Sequence, residues 1–226
     1  MKYEILYPGS FAMLQFDLEK GEKVKAEYGA MVAMNGNLDV EGKLEGGLMG
    51  GVMRALAGEK FFFQTLKAMR GPGQVLVSPA SLGDILDVEL DGDYQLVVQK
   101  DGFLAATDDI EISAKAQNLM QGVFSGEGFF VLKVSGKGVV FLNALGAIHA
   151  INLEEGQEFL VDNYHLVAWP SFMHYSIEKA SRGWISSFTS GEGLVCRFRG
   201  PGTVLIQSRN PGGFGSWIRK FVPSSS

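Results

Sequence analysis

Arg70-Gly71-Pro72-Gly73, Ser135-Gly136-Lys137-Gly138 and Arg199-Gly200-Pro201-Gly202 are three versions of one phrase, separated by steps of 65 and 64 residues. Each follows an apolar run and leads into another: Val75-Leu76-Val77, Val139-Val140-Phe141-Leu142 and Val204-Leu205-Ile206. Glycine pairs between apolar runs mark turns. The expectation is one hairpin in each of three units, at equivalent places around the molecule.

Working outward from these turns, two further phrases recur. One is Gly58-Glu59-Lys60-Phe61-Phe62-Phe63, Gly126-Glu127-Gly128-Phe129-Phe130-Val131 and Gly191-Glu192-Gly193-Leu194-Val195-Cys196, always just before the glycine turn. The other is Gly29-Ala30-Met31-Val32-Ala33, Gly102-Phe103-Leu104-Ala105-Ala106 and His165-Leu166-Val167-Ala168-Trp169. A fixed period of this kind is the signature of a repeated supersecondary unit. The reading is an all-β chain forming one compact domain of three antiparallel β repeats, at about residues 1–83, 84–148 and 149–226. Spacing alone leaves open whether they surround a pseudo-threefold axis or stack in a line.

Within the units the strands show alternation. Met13–Leu18 and Val24–Tyr28 read as two antiparallel strands joined by a turn at Gly21. Gly29–Met34, small and apolar throughout, reads as a strand buried on both faces. Ile85 to Ala106 and Ile151 to Trp169 each read as strand, turn, strand, turn, strand. Two stretches depart from the pattern. Leu44–Ala57 places Leu48, Val52, Ala55 and Leu56 on one helical face but contains four glycines, each costing about 1 kcal/mol against alanine in a helix. It reads as a short helix or flap packed on the sheets. Near the end of the chain, Trp217, Ile218 and Phe221 share one apolar face of a short helical turn, read as a cap on the last sheet or a docking segment. Pro223 and three serines close the sequence, where disorder is the expectation.

The 226 residues are 46% hydrophobic with 30 glycines and 7 prolines, a composition suited to a β fold with many tight turns. Net charge is −5, which weakly opposes nucleic acids and acidic membranes. From Arg182 onward, however, six Lys/Arg face the single acid Glu192, a local +5. A lone cysteine, Cys196, excludes an intrachain disulfide. No secretory pattern and no apolar run of about 18 residues is present. A cytoplasmic protein is expected.

No catalytic constellation emerges. The phosphate-loop spacing fails at Gly136-Lys137, which Gly138 follows, and Gly-x-Gly-x-x-Gly fails at all three turns. The histidines His149, His165 and His174 have no paired ligand spacing. Cys196, between Val195 and Arg197, reads as a core residue. Asp108, Asp109 and Glu111 read as a solvated turn. A nucleic-acid surface would rest on Arg182, Arg197, Arg199, Arg209, Arg219 and Lys220 with Trp184, Phe198 and Trp217 as stacking groups, against the overall charge. No catalytic residue, metal or cofactor is therefore assigned.

The phrases Gly46-Gly47 through Arg54-Ala55-Leu56-Ala57-Gly58-Glu59, Gly102–Ala106, His165–Trp169, Ser190-Gly191-Glu192-Gly193-Leu194 and Arg199–Gly202 resemble an uncharacterised bacterial family related to the mitochondrial-biogenesis "altered inheritance of mitochondria" proteins. The resemblance covers nearly the whole chain. It implies a fold similar to the subunit of the tryptophan RNA-binding attenuation protein, repeated three times with pseudo-threefold symmetry. It carries no catalytic mechanism, and the attenuator's tryptophan and RNA binding do not transfer with the fold.

Three functions are weighed on this basis. The first is a non-catalytic binding or scaffold protein that self-associates or engages another protein, with Leu48, Val52, Leu56, Trp217 and Phe221 as the candidate interaction surface. The second is a ligand sensor or enzyme with a pocket between repeats near His165, Trp169 and His174. The third, less favoured, is attachment to a membrane surface through residues 48–56 and 217–221.

Overall fold

The computed structural model describes residues 1–9, 11–43, 63–116, 130–179 and 194–222. Among the described residues, eighteen strands run in chain order. The first seven are β1 (Lys2–Leu6), β2 (Met13–Leu18), β3 (Lys23–Glu27), β4 (Met31–Met34), β5 (Leu38–Lys43), β6 (Phe63–Ala68) and β7 (Gly73–Val77). Then come β8 (Ile85–Asp91), β9 (Leu96–Gln99), β10 (Phe103–Thr107), β11 (Ile110–Ala116) and β12 (Phe130–Asn143). The last are β13 (Ile148–Leu153), β14 (Glu158–Asp162), β15 (Leu166–Pro170), β16 (His174–Lys179), β17 (Leu194–Arg199) and β18 (Gly202–Gln207). Among the described residues, one α-helix, α1 (Pro211–Arg219), follows β18.

Alternation sets the faces. In β2, Leu14, Phe16 and Leu18 are buried while Asp17 between them is exposed, as a half-buried strand requires. The same rule puts Val24 and Ala26 of β3 inward. Ile85–Ala106 and Ile151–Trp169 form the expected triplets of strands. Gly29–Met34 differs from expectation. Ala30 is buried, yet Val32, Ala33 and Met34 of β4 are exposed. The reason is position: β4 is an edge strand, paired with β7 alone among the described residues.

The glycine turns are not hairpins. The strands on either side of each turn pair with different neighbours rather than with one another. In the first segment β6 pairs with β3 and β5, whereas β7 pairs with β2 and β4. In the third, β17 pairs with β14 and β16, and β18 with β13 and β15. In the middle segment the turn residues lie inside one unbroken strand of 14 residues, β12. Its first half pairs with β9 and β11 and its second half with β8 and β10. Each phrase is thus a corner at which the chain leaves one sheet for the next. Gly136 shows why glycine is needed there. Its φ is +109°, and a Cβ would sit 2.3 Å from the Asp109 carbonyl oxygen. The Met13–Leu18 and Val24–Tyr28 stretches likewise turn at Gly21 without pairing, because β2 and β3 enter different sheets.

Apart from the β1–β2 ladder, the pairings fall into three groups, each built on the strands flanking one glycine phrase, and two further ladders link the segments. β10 pairs with β3, and β15 pairs with β9. These produce one path β13-β18-β15-β9-β12-β10-β3-β6-β5, with β8 and β11 also on β12, beside the sheets β1-β2-β7-β4 and β14-β17-β16. The core is shared across segments. Leu104 and Phe141 pack among Leu14, Phe16, Leu66 and Val75, while Val97 and Val131 pack with Trp169 and Phe198.

Candidate functional site

The stretch joining β14 to β15 begins with Asp162, whose Oδ1 accepts from the Tyr164 N–H at 3.0 Å and caps a 3-10 turn, Asn163–His165. His165 Nδ1 lies 2.7 Å from the main-chain oxygen of Gln207. A carbonyl only accepts, so Nδ1 carries the hydrogen. The Gln207 side chain closes the node: Nε2 donates to Tyr164 O, and Oε1 accepts from Leu145 N, both at 2.8 Å. His165 thus fastens a turn to the end of β18.

Trp169 is in the core. Its ring meets Tyr175 edge-on at 5.2 Å and Phe198 at 5.4 Å, and Tyr175 stacks on Phe198 at 5.7 Å. His174 is the residue before Tyr175 on β16, is exposed, and stands opposite Arg199 of β17. Successive side chains of a strand point to opposite faces, so His174 faces away from the aromatic cluster. The structure therefore holds His165, Trp169 and His174 in three separate settings: a turn lock, a core aromatic and a solvent face. β15 and β16 do not pair, so no hairpin brings His165 to His174. No group of three potential metal-ligating side chains forms among the described residues.

From Cys196 to Arg199 the side chains of β17 alternate between the core and the outer face, and Val195 before them is also buried. Cys196 and Phe198 are buried, and burial, followed by the charge of Asp162, pushes the Cys196 thiol up to about 12. A thiol held so high offers almost no thiolate at neutral pH. On the other face Arg197 grips Glu178 with two bonds, Nε to Oε1 at 2.9 Å and Nη2 to Oε2 at 3.1 Å. Arg199 Nε donates to Glu158 Oε1 at 2.9 Å. The arginine bonds hold both carboxyls below the usual range. Two of the arginines weighed for nucleic acid are thus engaged with carboxylates, and Phe198 is too deep to stack on a base.

Sequence reasoning missed Glu27, at the end of β3 beside the β3–β10 ladder. Burial first, and the Asp101 charge second, push its carboxyl up to about 7. Gln64 Nε2, from a buried side chain on β6, donates to the Glu27 carbonyl at 3.1 Å. A carboxyl that titrates near neutrality has the pKa of a general acid or base. The second group acting on it, Asp101, is a like charge.

Of the candidate interaction surface, Leu48, Val52 and Leu56 lie outside the described residues. Trp217 and Phe221 lie on and just after α1. Asn210 caps the helix, its Oδ1 accepting from Gly213 N at 3.0 Å, and Pro211 occupies the first turn. Phe214 stacks on Trp217 at 6.0 Å, and Trp217 meets Phe221 edge-on at 5.2 Å. The periodicity that predicts an apolar face is therefore real. The expectation of a cap packed on the last sheet is not met, since no residue of the helix is buried.

Three comparisons bear on this chain. The family model described as "Mitochondrial biogenesis AIM24" matches residues 3–209. An uncharacterised protein of Streptococcus pyogenes serotype M6 is 31% identical over 233 residues, spanning 100% of this chain and 93% of that protein. A crystal structure of a Streptococcus pyogenes protein superposes with a TM-score of 0.80 at 30% identity, covering 98% of this chain and 99% of the other. Among the described residues, no helix is long and apolar enough to cross a membrane.

Proposed function

The chain belongs to the AIM24 mitochondrial-biogenesis family, and we propose that it works by binding: a scaffold of three β units about a pseudo-threefold axis that self-associates through an open sheet edge. The three groups of strand pairings support the repeat, which the resemblance gives as three copies of a unit like the subunit of the tryptophan RNA-binding attenuation protein. The inert thiol of Cys196 and the separate settings of His165, Trp169 and His174 weigh against catalysis at those residues. A single buried cysteine suits a cytoplasmic setting.

The observation that carries the binding role is β4. It pairs on one side only among the described residues, and Val32 stands 55% exposed with Met34 also exposed. An exposed apolar strand edge is a template for another strand, and a second copy of this chain offers the same edge. The test is molar mass in solution across a concentration series, for the native chain and for Val32→Lys. Concentration-dependent oligomers that the lysine abolishes support the reading. A strict monomer that captures no partner overturns it.

A further inference from the structure

We propose that α1 and the turn after it form a docking device for an anionic lipid surface, lying in the plane of the bilayer interface with Trp217 and Phe221 inserted. The site is independent of the β4 edge and lies beyond residue 209, where the family match ends.

The first support is a helix whose apolar face has no buried residue. Phe214, Trp217, Ile218 and Phe221 recur at i, i+3, i+4 and i+7, which aligns them on one side. The backbone continues helically past Arg219, with Lys220 N bonded to Trp217 O and Phe221 N to Ile218 O. Yet Trp217 is 55% and Phe221 70% exposed, and Val222 is exposed beside them. Large aromatics in a row are the residues a folded chain hides first.

The second support is the weakness of the helix by itself. Three of its nine residues are glycine, each costing about 1 kcal/mol relative to alanine. A nine-residue helix in water is marginal even without them. The Asn210 cap and the ring stack hold a conformation that tertiary packing does not, so the segment gains most from an external apolar phase.

The third support is charge, which selects the occupant. After Glu192 the chain has no acidic residue, while Arg209, Arg219 and Lys220 bracket the aromatic face. Among the described residues none of these three is in an ion pair. The net charge of −5 opposes this little, because exposed charges more than about 10 Å away are screened at physiological salt. Trp and Phe on one side with cations at the flank is the pattern of an interfacial helix, and each basic residue close to an anionic surface adds about five-fold to binding.

The loops at the base of the helix add exposed apolar and aromatic side chains. Ser208 N bonds to Ala147 O, and Gly146 N to Leu82 O. Gln207 bonds to Tyr164 O. Leu82 and Tyr164, both exposed, thus sit on loops fastened to the end of β18 from which α1 departs. The nearby carboxylates Asp84 and Asp162 accept main-chain N–H groups.

The test is flotation of the full chain with vesicles of phosphatidylcholine alone and of phosphatidylcholine with about 30% phosphatidylglycerol, at low and high salt. Three chains are compared: native, Trp217→Ser/Phe221→Ser, and Arg219→Glu/Lys220→Glu. All these positions are exposed, so thermal melts of the three should coincide. The expected result is binding of the native chain to the anionic vesicles, weakened by salt, lost in the aromatic variant, and reduced at least about 25-fold by charge reversal. Equal binding by all three chains, or none by the native chain, overturns the proposal. So does an oligomer that the aromatic variant abolishes while vesicle binding is absent, which would make the helix a contact between copies.

Discussion

His165 Nδ1 stands 2.7 Å from the main-chain oxygen of Gln207, 42 residues away in sequence, while the side chain of Gln207 bonds to both Tyr164 and Leu145. One glutamine thereby ties the turn before β15 and the loop before β13 to the end of β18. Gln207→Ala removes the acceptor of the buried Leu145 N–H. An orphaned buried donor costs about 1–3 kcal/mol, or a fall of several degrees in Tm for a chain of this size. Thermal unfolding checks this, and an unchanged Tm would show that the node carries no load.

Glu27 makes stability depend on pH in an unusual direction. Its folded carboxyl titrates at about 7 against a usual 4.5. Below about 4.5 the group is protonated whether the chain is folded or not, and it imposes no penalty. Between 4.5 and 7 the unfolded chain releases its proton first, so stability falls as pH rises. Above 7 the penalty is complete. Glu27→Gln should therefore stabilise the protein at pH 8 by on the order of 1–2 kcal/mol, allowing for its partial exposure, and change little at pH 4. Urea melts at the two pH values decide it: equal gains at both would rule out the carboxyl as the cause.

Two glycines with positive φ should respond differently to alanine. At Gly156 (φ +82°) a Cβ meets nothing within 4 Å, whereas at Gly136 it meets the Asp109 carbonyl at 2.3 Å. Gly156→Ala should cost about 1–2 kcal/mol through backbone conformation alone. Gly136→Ala must also push β11 away from β12, so it should cost clearly more and lower the soluble yield. Chemical denaturation of both variants gives the comparison, and similar losses would contradict the corner role of Gly136.

Cys196 is fully buried, with its thiol pushed up to about 12. Labelling by a disulfide reagent at pH 8 should proceed only as fast as the protein opens, and become immediate in denaturant. Prompt stoichiometric labelling of the native chain would revive Cys196 as a reactive group.

Local pattern made the strands legible and left their partners hidden. The alternation in Met13–Leu18 and the triplets from Ile85 and Ile151 required only neighbours in sequence, and so did the apolar face of Trp217 and Phe221. A glycine turn between two apolar runs looks the same whether the runs pair or diverge, so a corner reads as a hairpin. Met31–Met34 carries the composition of a doubly buried strand, but its exposure is decided by which strands lie beside β7. Glu27 titrates near neutrality because the fold buries it and because Asp101, distant in sequence, adds a like charge. His165 reads as a pocket residue because nothing near it in sequence names Gln207 as its partner.

β12 receives β8, β9, β10 and β11, yet it is the last of the five to leave the ribosome. β6 and β7 follow β2 to β5 in the same way, and β17 and β18 follow β13 to β16. Until residue 143 emerges, β8 and β11 lack their ladder partner, while β10 has only β3 to hold it. The nascent chain therefore completes its sheets in three late closures, each made by the most recently synthesised strands. The interval before each closure is when its open edges are most prone to mispair, and slowing translation between residues 107 and 130 should lengthen the exposure of the middle set.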